Sequence, residues 1–87
     1  MATRQSVENF IQRCEDTLHF AREQYLEGAK QEHYNDTEYT KAQQMLENTL
    51  EELAQLEMSA NAEQREQLYR MRLRLQSLQN DMILLEH

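Results

Sequence analysis

Glu15, His19 and Glu23 stand one helical turn apart, an arrangement that could hold a divalent cation on one helix face. Glutamate is the commonest residue in this chain, and metal-binding bundles draw such ligands from several helices. The expectation is therefore a solvated polar face, with no metal and no cofactor. Cys14 is the one thiol. A catalytic thiolate needs partial exposure and a nearby cation or helix N-terminus. Cys14 instead falls on an apolar stripe between Ile11 and Leu18, where it reads as a small hydrophobe. Ser77 and Asp81 share an S-x-x-x-D spacing faintly like that of the short sporulation aspartyl-phosphate phosphatases, but the flanking pattern differs. No nucleophile elbow, P-loop or dinucleotide fingerprint occurs, so no catalytic residue and no small-molecule substrate are expected.

Two groups of side chains suggest contact with a protein instead. Gln31 to Tyr39 is rich in tyrosine and acids around His33, and tyrosine is enriched among interface anchors. Arg65, Arg70, Arg72 and Arg74 make the last third locally basic. Arg65 and Arg72, seven apart on one face, are left over once Arg70 and Arg74 are given to carboxylates of a neighbouring helix. The candidate partner surface is His33, Tyr34, Tyr39, Arg65 and Arg72.

The elements that would carry these residues are helical. With no proline and one glycine, Gly28, a β-rich fold lacks its turn residues. Three apolar stripes keep 3–4 spacing: Val7 to Tyr25, Tyr39 to Leu56, and Leu68 to Met82. Caps are expected at Ser6, at Asn35 with Glu38, and at Asn61 with Gln64. The fold class is all-α, a helical hairpin extended to an up-down-up three-helix bundle. It forms a single domain over 1–84, with helices over 6–33, 36–58 and 62–84. Leu85-Glu86-His87 reads as the start of a vector-encoded histidine tag.

An antiparallel second and third helix would bring Leu53 to Leu68, Leu50 to Met71, Leu46 to Leu75 and Tyr39 to Met82. Glu51 would then face Arg70, and Glu47 would face Arg74. The first helix would pair Leu18 with Leu53, Ala21 with Leu50 and Tyr25 with Leu46. The alternative is one rod of about 80 Å from Ser6 to Met58 at 1.5 Å per residue, with a short returning helix and a dimer to cover it. The polar positions near Asn35 favour a bend.

Sixteen acids against nine bases give a net charge of −7. That argues against nucleic acid and against adsorption on an anionic membrane. No apolar run approaches the roughly 18 residues of a membrane span. The polar N-terminus is not a signal peptide, and a lone cysteine suits the cytoplasm.

The chain resembles the YtzC-like family of short uncharacterised proteins from Bacillus and relatives. The likeness covers nearly all of residues 1–84. It rests on Met-Ala-Thr-Arg-Gln-Ser-Val at 1–7, Thr17-Leu18-His19, and Gln31-Glu32-His33-Tyr34-Asn35-Asp36 with Glu38 to Gln44. Ser59-Ala60-Asn61 and Gln64 to Leu68 complete it. The resemblance implies a lineage among spore-forming bacteria and brings no functional residues. The function expected is that of a protein-interaction or adaptor module, with another protein or a second copy of itself as partner. The rivals are a phosphatase-like regulator using Ser77 and Asp81, and a weak metal binder at His19.

Overall fold

The computed structural model describes residues 2–30 and 36–85. Three helices, α1 (Arg4–Lys30), α2 (Asp36–Glu57) and α3 (Ala62–Leu85), each pack against the other two. The bundle is 46 Å long, which leaves no room for an 80 Å rod, and α1 lies alongside α2. The expected bend near Asn35 lies outside the described residues.

Each helix start shows why the backbone turns where it does. α1 begins two residues before the expected Ser6, because Thr3 is the cap. Ser6 N–H donates to Thr3 Oγ1 at 3.0 Å, and Thr3 N–H donates back to Ser6 Oγ at 3.1 Å. Ser6 is thus the third residue of the reciprocal box rather than its cap. The Asn61–Gln64 box forms as expected, with Gln64 N–H donating to Asn61 Oδ1 at 2.8 Å. Asn61 N–H returns a bond to Gln64 Oε1 at 2.9 Å. Asn61→Ala is expected to cost about 1 kcal/mol. A urea titration should show a lowered midpoint with an unchanged slope.

The core takes one stripe from each helix. Cys14, Ala21, Ala42, Leu46, Leu53, Leu68, Leu75 and Met82 have no exposed surface. α2 and α3 meet in the expected direction and register, with the Tyr39 hydroxyl donating to Met82 C=O at 2.5 Å.

The register of α1 on α2 differs from the one expected. Arg13 forms an ion pair with Glu52, and Gly28 lies against Tyr39. Residues of α1 therefore meet α2 one to two turns nearer its start than the Leu18–Leu53 pairing required. Two contacts hold this register. Ala2 N–H donates to Ser59 C=O at 3.0 Å, tying the start of α1 to the turn after α2. At the other end, Gly28 admits the Tyr39 ring. A β-carbon there would stand 3.2 Å from Tyr39 Cε2 and 3.3 Å from Leu85 Cδ2. Gly28 sits inside the helix with ordinary backbone angles, so close approach, not a turn, is its use.

The ion pairs differ as well. Arg70 pairs with Glu66 on its own helix at 2.7 Å, and Arg74 reaches Glu15 of α1 at 3.4 Å. Neither meets Glu51 or Glu47. The flank of α3 that carries Arg74 adjoins α1 rather than α2, which removes Arg74 from Glu47's reach.

Candidate functional site

Cys14 is sealed. Its neighbours in sequence, Arg13 and Glu15, reach across to Glu52 of α2 and Arg74 of α3. These two ion pairs flank the thiol. Burial pushes its pKa from 9.0 up to about 12, while the charges of Arg13, Glu52, Arg74 and Glu15 pull in opposing directions. A thiol held protonated and out of contact with solvent is a poor nucleophile and a poor ligand.

His19 is exposed and lies 3.1 Å from Glu23, but Glu15 is turned to Arg74. The three side chains do not converge. Among the described residues no three His, Cys, Asp or Glu side chains gather where they could hold a metal ion. Ser77 and Asp81 do lie together, on the wall of a groove of about 450 Å³ between α1 and α3. Arg22, Tyr25 and Leu26 form the opposite wall.

The structure disperses the proposed partner residues. His33 and Tyr34 lie outside the described residues. Tyr39 is 1% exposed and belongs to the core, so its ring is not a surface anchor. Arg72 forms a half-buried ion pair with Glu57. Arg65 donates through Nε to Glu57 C=O at 3.2 Å, satisfying a carbonyl at the end of α2. Both arginines thus close the α2–α3 corner, although Arg65 remains exposed.

A different surface stands out. Tyr69, Leu73, Ile83 and Leu84 on α3 are 54%, 48%, 45% and 72% exposed, and Leu26 of α1 is 47% exposed beside Leu73 in the groove. α3 is therefore apolar on two opposite faces. Its inner face is Leu68, Met71, Leu75, Leu78 and Met82, all buried. The outer face has its own spacing, Tyr69, Leu73, Gln76, Asn80 and Ile83, with gaps of 4, 3, 4 and 3. That second period is the signal by which it can be found from sequence.

No described helix is long and apolar enough to cross a membrane. The chain is 57% identical over 84 residues to the uncharacterized protein YtzC of Bacillus subtilis (strain 168), covering 97% of this chain and 93% of that protein. No solved structure matches. Residues 1–84 match a family described as a protein of unknown function, DUF2524, and the chain belongs to that family.

Proposed function

We propose that this protein is a non-catalytic protein-interaction module of the cytoplasm, acting through the outer face of α3. The observation that carries this reading is the second apolar stripe. Four large apolar side chains stand in solvent on one helix, with Leu26 of α1 beside them. Single exposed apolar residues are ordinary; here Tyr69 with Leu73, and Ile83 with Leu84, recur on one side of one helix, with Gln76 and Asn80 between the two pairs. The candidate chemistry is disfavoured by its own geometry: Cys14 is sealed, and Glu15 is engaged by Arg74 away from His19.

A photo-crosslinking residue placed at Leu73 in living cells tests the reading, with the same residue at Glu47 on the acidic outer side of α2 as control. Covalent adducts are expected at 73 and not at 47. Equal yields at both positions, or none at either, would refute it.

A further inference from the structure

We draw no further inference here: the strongest candidate, the groove between α1 and α3 where Arg22 and Asp81 stand on opposite walls beside Leu26 and Leu73, keeps both charges exposed to solvent, and nothing in the structure shows what would cover it.

Discussion

Leu53→Ala is expected to lower the free energy of unfolding by about 3 kcal/mol, within the roughly 2–5 kcal/mol seen when a fully buried leucine is truncated. Leu53 has no exposed surface and sits in the cluster that joins all three helices. Its loss leaves a void that the rest of the cluster fills only in part. The consequence is large because the chain is short. An 87-residue domain has an expected stability of about 4–13 kcal/mol at 0.05–0.15 kcal/mol per residue. Urea denaturation followed by circular dichroism at 222 nm checks the value. A change below 1 kcal/mol would mean that the three stripes do not share one core. Leu73→Ala, on the outer face, is the internal control and should move the midpoint of the monomer little.

What could be read from the sequence depended on whether a capping pair that the structure forms marked the end of the connection. Between α2 and α3 the turn is a few residues, and Asn61 with Gln64 marks its end, so few registers were open. The Tyr39–Met82 contact confirms the one chosen. Between α1 and α2 the same reasoning failed. A stripe with 3–4 spacing keeps apolar residues against apolar residues after a slip of one or two turns, so periodicity cannot choose between those registers. The choice lies in the Ala2–Ser59 hydrogen bond and in the space that Gly28 leaves for Tyr39. Neither has a local signature.

The ion pairs failed for a related reason. Glu51–Arg70 and Glu47–Arg74 were derived from two helices drawn side by side, and a third helix takes one flank of α3. Arg74 turns to Glu15 on that flank, and Arg72 on the other flank finds Glu57. Residue type alone does not show which flank of a helix meets a neighbouring helix. Tyr39 and Arg72 therefore turned out to be held by the bundle's own contacts. The outer stripe of α3 was overlooked because one helix carries two apolar periods on opposite faces. The stripe Leu68 to Met82 accounts for the core, and 3–4 spacing gives little weight to Leu73 and Ile83, which Gln76 and Asn80 separate.

Cys14 supplies the second large effect, visible in alkaline solution. Its pKa is raised from 9.0 to about 12, chiefly by burial. The folded state therefore holds a proton that the unfolded chain releases. Below about pH 9 both states keep it, and the contribution to stability is constant. As pH rises from about 9 to about 12 the unfolded thiol ionises first and stability falls. The loss is on the order of 4 kcal/mol by pH 12, at 1.36 kcal/mol for each unit of pKa difference. The quantity to measure is the difference in unfolding free energy between the native chain and Cys14→Ala, in which contributions common to both proteins cancel. That difference, native minus Cys14→Ala, should fall steadily across this window, by on the order of 4 kcal/mol in all, and stay flat from pH 6 to 8. A difference independent of pH would show that water reaches the thiol in the folded state. Alkylation gives a second reading of the same burial. At pH 8 iodoacetamide should modify Cys14 only through opening of the bundle, so that Leu53→Ala, at about 3 kcal/mol less stable, labels roughly a hundredfold faster. Equal labelling rates in the two proteins would place the reactive conformation outside global unfolding, and would mean that Arg13–Glu52 and Arg74–Glu15 part locally to admit the reagent.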